Sequence, residues 1–230
     1  MTSAFDGLVK RQPRTTIADE VYEDIRRLLM TGAIPPGEKI TLRGLAALTG
    51  TSPMPVRDAV RRLVTEGAFD LMPSRGLRVH KPSLFEFREV VKIRLALEGL
   101  ATEEAVAHLT AKDIDRIAAL VARYEAVGKA EPLDPVQVID ANRRLHFALY
   151  EASRMPVLVN MIETIWLKVS PIFSLSMSSK DRRADAWESF DHHRRLLVAL
   201  ERRDAAMARL AVVSDIQDAA CYIEGSEKLA

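Results

Sequence analysis

From Leu84 onward the chain reads as one amphipathic helix after another, and no other feature constrains its fold as much. Apolar residues recur at three- and four-residue spacing through segments 84–108, 111–128, 136–153, 155–177, 185–202 and 204–224. Breaks fall at Thr110-Ala-Lys-Asp113, Glu131-Pro132, Met155-Pro156 and Arg203-Asp204. The polar stretch Ser176–Arg183 is predicted to be a loop. Helices of this kind bury their apolar stripes against one another, so the segment is expected to form an all-α bundle.

The first 82 residues follow a different pattern, of short helices, turns and a hairpin. Thr16-Ile-Ala-Asp19 has the form of a capping box and opens a helix with the stripe Ile17, Val21, Ile25, Leu28 and Leu29. Gly32 stops that helix, and Pro35-Pro36-Gly37 makes a tight connection. A second helix spans about Leu42 to Leu48, with Thr49-Gly50 after it. Ser52 is placed to cap a third, whose first turn tolerates Pro53 and Pro55. Phe69, Leu71, Leu77 and Val79 then alternate around Pro73-Ser74-Arg75-Gly76, a hairpin with a basic tip.

Charge separates the two parts. Residues 1–82 hold 13 basic and 9 acidic side chains, and the remainder holds 20 and 23. The front of the chain therefore suits an anionic partner. The single Cys221 excludes an intramolecular disulfide and fits a reducing compartment. With no signal-peptide pattern and no uncharged apolar run near 18 residues, a cytoplasmic protein without a membrane partner is expected.

The third helix has two faces. Val56, Ala59, Val60 and Leu63 recur at i, i+3, i+4 and i+7 and pack inward, whereas Arg57 and Arg61 lie one turn apart on another face. A helix presenting arginines after a helix and a tight turn has the geometry for entering a major groove, where Arg can donate two hydrogen bonds to guanine. The basic-tipped hairpin would act as a wing. Gly32-Ala-Ile-Pro-Pro-Gly37, Leu45-Ala46, Ser52-Pro-Met-Pro-Val-Arg-Asp-Ala59, Leu63-Val-Thr-Glu-Gly67 and Arg75-Gly76 together resemble the GntR regulators. The resemblance implies a homodimer on double-stranded, pseudo-palindromic operator DNA. Its matching positions are Arg43, Ser52, Arg57, Arg75 and Gly76. Many members carry a basic residue where this chain has Pro53.

Further along, Asn142 and His146 share one helix face with Ile139, Leu149 and Tyr150. His193 lies on a stripe with Leu196, Leu197 and Leu200, while His192, about 100° away, is expected to face solvent. His80 and His108 read as structural or exposed. His193 and Asp215 are nearly equidistant from the turn at Arg203-Asp204, so an antiparallel pair of helices would set them side by side. Two imidazoles, a carboxylate and an amide oxygen could hold a divalent cation. The alternative is a hydrogen-bonded core cluster in which His193 alone pairs a buried Asp215.

Residues 86–220 resemble the FadR-type C-terminal domain, FCD, through Ile93-Arg-Leu-Ala-Leu-Glu98, Asn142-Arg-Arg-Leu-His146, and His193-Arg-Arg-Leu-Leu-Val-Ala-Leu200 followed by Asp204. Metal-binding members use Asp or Asn and His four apart, then two His 22 apart. Here the implied set is Asn142, His146, His193 and Asp215, for zinc, nickel or manganese. Asp in place of the last His favours a harder ion, and Arg154-Met155-Pro156 departs from the family's Gly-Asn-Pro. The implied effector is a small carboxylate, with Arg94 as the matching pocket cation, although Arg94 could equally pair Glu98 one turn on.

The expected architecture is thus mainly α, with a winged helix-turn-helix over 1–80, a linker over 81–83 and an all-α, FCD-type effector and dimerisation domain over 84–230. The expected function is DNA-binding transcription regulation under control of an organic acid, not catalysis. Two rivals remain at this level: a hydrolytic enzyme whose metal activates water, and a helical scaffold whose polar cluster is structural. Neither accounts for the first 80 residues.

Overall fold

A computed structural model describes residues 16–73, 76–177 and 188–225. Its first module begins with α1 (Ile17–Met30), opened by the capping box: the Asp19 N–H donates to Thr16 Oγ1, and the Thr16 N–H to Asp19 Oδ2. Then follow β1 (Lys39–Ile40), α2 (Leu42–Thr49), α3 (Pro53–Thr65), β2 (Phe69–Leu71) and β3 (Leu77–Val79). The strands form an antiparallel sheet in the order β1-β3-β2, with Ile40 opposite Leu77 and Phe69 opposite Val79. The sequence showed only the hairpin, because the two residues of β1 are too few to carry an alternation.

Ser52 stands at the N-cap of α3 but makes no side-chain capping bond, contrary to the expectation. The reason is covalent. A capping hydroxyl commonly accepts from the N–H of the third helical residue, and that residue is Pro55, which has no N–H to donate.

The second module holds α4 (Leu84–Val106), α5 (Ala111–Gly128), α6 (Pro135–Glu151), α7 (Pro156–Met177), α8 (Glu188–Glu201) and α9 (Ala205–Gly225). The expected loop at 176–183 lies outside the described residues beyond Met177. Helix α9 lies against both α4 and α8, and α6 against α5 and α7. At the α8–α9 turn Arg203 takes a left-handed conformation (φ 56°) and donates through Nη1 to the carbonyls of Val106 and Leu109, tying the turn to the end of α4. Residues Pro156–Ser174 of α7 are long and apolar enough to cross a membrane, and half of that stretch is buried within the fold.

The modules share a core. One apolar cluster runs from Ile25, Leu29 and Leu63 to Leu145, Leu149 and Trp166, because α1 packs onto α7 and α6. Gly32, at φ 67°, permits the approach: a side-chain carbon there would stand 2.9 Å from Ser174 Cβ. Arg26 of α1 pairs with Glu163 of α7 at 2.8 Å.

Candidate metal centre and DNA-reading helix

Helix α6 turns Asn142 and His146 inward one turn apart, and α8 and α9 bring His193 and Asp215 to meet them. His146 Nε2 lies 3.2 Å from His193 Nε2 and 3.3 Å from Asp215 Oδ2, and His193 Nε2 lies 3.6 Å from the same oxygen. All three residues are buried. The convergence of His193 and Asp215 follows from the turn being nearly midway between them.

The surrounding groups set the protonation of this centre. Tyr150 donates its only hydroxyl proton to Glu98 Oε2 (2.6 Å), so the contact between Tyr150 Oη and His146 Nδ1 (2.9 Å) must be donated by the imidazole. That puts a proton on Nδ1, so the neutral ring of His146 turns its Nε2 lone pair toward His193 and Asp215. Burial and the Glu98 charge keep Tyr150 protonated, with its pKa raised well above the usual 10.0. Ser189 donates to Asp215 Oδ1 at 2.5 Å and in turn accepts from Tyr124 at 3.2 Å.

Burial alone would raise the Asp215 carboxyl. The neighbouring imidazoles, His193 foremost, outweigh it and hold the group well below 3.8. Burial likewise pulls His193 below 6.5, against the opposing pull of Asp215. An ionised carboxylate and two imidazoles whose Nε2 atoms converge on it make a donor set for a divalent ion, which takes the rings in their neutral form. Asn142 adds to the fit, since its buried Oδ1 accepts no hydrogen bond among the described residues. An orphaned buried acceptor costs about 1–3 kcal/mol, which a bound cation would relieve.

Arg94 is also buried, but its charge is already held. Its Nε and Nη2 donate to the two oxygens of Glu98 at 2.6 and 3.3 Å, the one-turn pair that the sequence allowed. Its guanidinium carbon also lies 5.0 Å from the centroid of the Trp166 ring, which stands 5.8 Å from the His146 ring. His192 departs from expectation. It is buried rather than solvent-facing, with Nε2 2.6 Å from Asp218 Oδ2, because α9 covers a broader face of α8 than one stripe. His80 bridges Asp70 (3.0 Å) and Glu86 (3.1 Å), and His108 lines a surface cleft with Arg116 and Arg154.

Sequence reasoning missed Tyr124, Ser189 and Trp166. Of these only Ser189, four residues before His193 and so on its face, carried a readable signal.

In the first module α3 buries Val56, Ala59, Val60 and Leu63 and exposes Arg57 and Arg61. Arg61 stands 3.7 Å from Asp58, whereas Arg57 and Arg43 form no ion pair among the described residues. Arg43 is exposed near the start of α2, Ser52 is exposed at the N-cap of α3, and Gly76 immediately precedes β3. Arg75 lies outside the described residues.

Residues 17–79 match the bacterial regulatory proteins of the gntR family, and residues 89–218 match the FCD domain. The chain belongs to the GntR family, with an FCD domain. This GntR chain is 30% identical over 198 residues to the HTH-type transcriptional regulator McbR of Escherichia coli strain K12, covering 86% of the chain and 88% of that protein. A probable D-xylose utilization operon transcriptional repressor of Paenarthrobacter nicotinovorans is 30% identical over 213 residues, covering 92% of the chain and 90% of that protein. In structure, E. coli McbR/YncC superimposes with a TM-score of 0.85 at 28% identity, over 93% of this chain and 99% of that one. A GntR regulator from Rhodococcus sp. RHA1 shares the fold, with a TM-score of 0.74 at 17% identity, over 92% of this chain and 99% of that one. The chain is accordingly a transcriptional regulator and not an enzyme, which removes the hydrolytic reading.

Proposed function

We propose that this GntR regulator binds a pseudo-palindromic operator as a homodimer, and that a divalent cation and a small organic acid in its helical domain set its affinity for DNA. The observation that carries the proposal is the meeting of His146 Nε2, His193 Nε2 and Asp215 Oδ2 within 4.8 Å of one another in a buried site. Asn142, His146, His193 and Asp215 would hold the ion, as zinc, nickel or manganese. Once bound, it would offer open coordination positions to a carboxylate. Arg94, neutralised by Glu98, would shape the pocket and contribute less charge to the acid than the ion does.

The chain's own residues supply the route to DNA. His146 touches Trp166 of α7, and the same helix presents Glu163 to Arg26 and Lys168 to Gly67 of the first module. A change in the packing around His146 would move α7, and with it α1 and the recognition helix α3 that packs on it. The coupling would therefore run through a packed helix face as well as through the short connection at 81–83. Couplings of this type amount to about 1–3 kcal/mol.

A thermal-shift screen of organic acids on metal-loaded and EDTA-treated protein tests the proposal. A ligand at 100 times its dissociation constant adds about 2.7 kcal/mol of stability. An acid whose shift disappears with EDTA supports a metal-dependent sensor. Protein that retains no ion by elemental analysis and answers to no acid would make the cluster a structural one.

A further inference from the structure

The start of α3 presents an apolar group where a helix that binds nucleic acid ordinarily presents donors. Met54 is 67% exposed, in the first turn, between Pro53 and Pro55. These prolines remove two of the first three N–H groups, which at other helix starts are free to meet phosphate. Ser52 keeps its hydroxyl uncommitted to the cap. What remains at the tip is a thioether chain, two pyrrolidine rings and one hydroxyl.

Met54, Arg57, Asp58 and Arg61 fall at i, i+3, i+4 and i+7 and are all exposed, opposite the buried Val56, Ala59, Val60 and Leu63. The Met54 side chain thus continues the stripe that carries the arginines. On this stripe Arg57 and Arg61 outnumber the single acidic residue, Asp58, so it favours a polyanion over a neutral protein surface. The apolar group that the major groove displays is the 5-methyl of thymine, and residues at the N-terminal end of a recognition helix are those that reach base edges.

We propose that Met54 is a specificity-determining residue that reads thymine, its side chain packing on the 5-methyl group of one thymine in each half-site, beside the base met by Arg57. The proposal rests on the assignment of α3 as the DNA-reading helix. Met54 carries no charge, so its packing contributes sequence preference with little salt dependence.

Removal of a single methyl group gives the test. A consensus is first obtained by selection from a random duplex pool with the full-length protein. Each thymine is then replaced by deoxyuridine, and dissociation constants are measured by fluorescence anisotropy at fixed salt for the wild type, Met54→Ala and Met54→Leu. One thymine per half-site is expected to show a loss of about fourfold in the wild type, the value of one buried methyl group. Met54→Leu should keep that sensitivity and Met54→Ala should lose it, with the salt slope unchanged in all three proteins. Wild-type binding indifferent to every deoxyuridine substitution, or equal sensitivity in Met54→Ala, overturns the proposal while leaving α3 as the reader. A pool that yields no consensus overturns the assignment of α3 itself, and this inference with it.

Discussion

Tyr150 settles the chemistry of the centre with one proton. Because its hydroxyl donates to Glu98, the bond between Tyr150 and His146 is donated by Nδ1, and in the neutral ring Nε2 is then the free acceptor. Tyr150→Phe should therefore keep the fold and weaken zinc binding about 10–100-fold by isothermal titration, the usual effect of losing an outer partner of a ligating histidine. An unchanged affinity would show that the tautomer is fixed by another group. Acid should weaken the metal-free protein. The folded pKa of His193 lies below 6.5, so beneath that pH the unfolded chain takes up a proton that the folded one refuses. Asp215 acts at lower pH: its depressed pKa contributes stability above 3.8 that is lost as pH falls further. Melting temperatures in EDTA should thus decline below about pH 6.5 and again below about pH 4, with the first step smaller in His193→Gln. In the other module, Arg57→Ala should lose about 1–3 kcal/mol on operator DNA and little on random duplex, measured as a ratio of dissociation constants. Equal losses on both would make Arg57 a phosphate contact.

At the level of elements, the sequence was most legible where a period or a cap carries the information. The capping box at Thr16 is present as reciprocal bonds, and the break at Thr110-Ala-Lys-Asp113 holds a second box that the sequence reading passed over; Thr110→Ala should cost about 1 kcal/mol in denaturant unfolding. The facing of His193 and Asp215 was legible because an antiparallel helix pair obeys simple counting from its turn. Legibility failed where tertiary packing decides. His192 faces α9 because that helix covers two adjacent positions of α8, which no single-helix stripe reveals. Strand β1 exists only because β3 lies beside it. The Tyr124–Ser189–Asp215 chain joins three helices across 91 residues of sequence, a relation that no local pattern encodes.

Across the whole molecule the two modules behave as one packed body. Arg26 and Glu163 join them with side chains only 15% and 35% exposed, and Gly67, at φ 76°, lies where any side chain would meet Lys168. Gly67→Ala should destabilise the protein by about 1 kcal/mol through left-handed strain, since the flexible end of Lys168 can move aside. Glu163→Gln should leave operator binding by the EDTA-treated protein near its wild-type value and reduce the response to metal and acid. A double-mutant cycle with Arg26→Gln measures how much of that response passes through the pair. The central claim, that the buried centre controls DNA affinity, is tested most directly by anisotropy titration of a selected operator at constant salt. The protein would be used EDTA-treated, zinc-, nickel- or manganese-loaded, and metal-loaded with the acid that raises its melting temperature. The account predicts a change of about 5–150-fold in the dissociation constant that requires both metal and acid. Identical constants in every state, with the ion shown to be bound by elemental analysis, would contradict it.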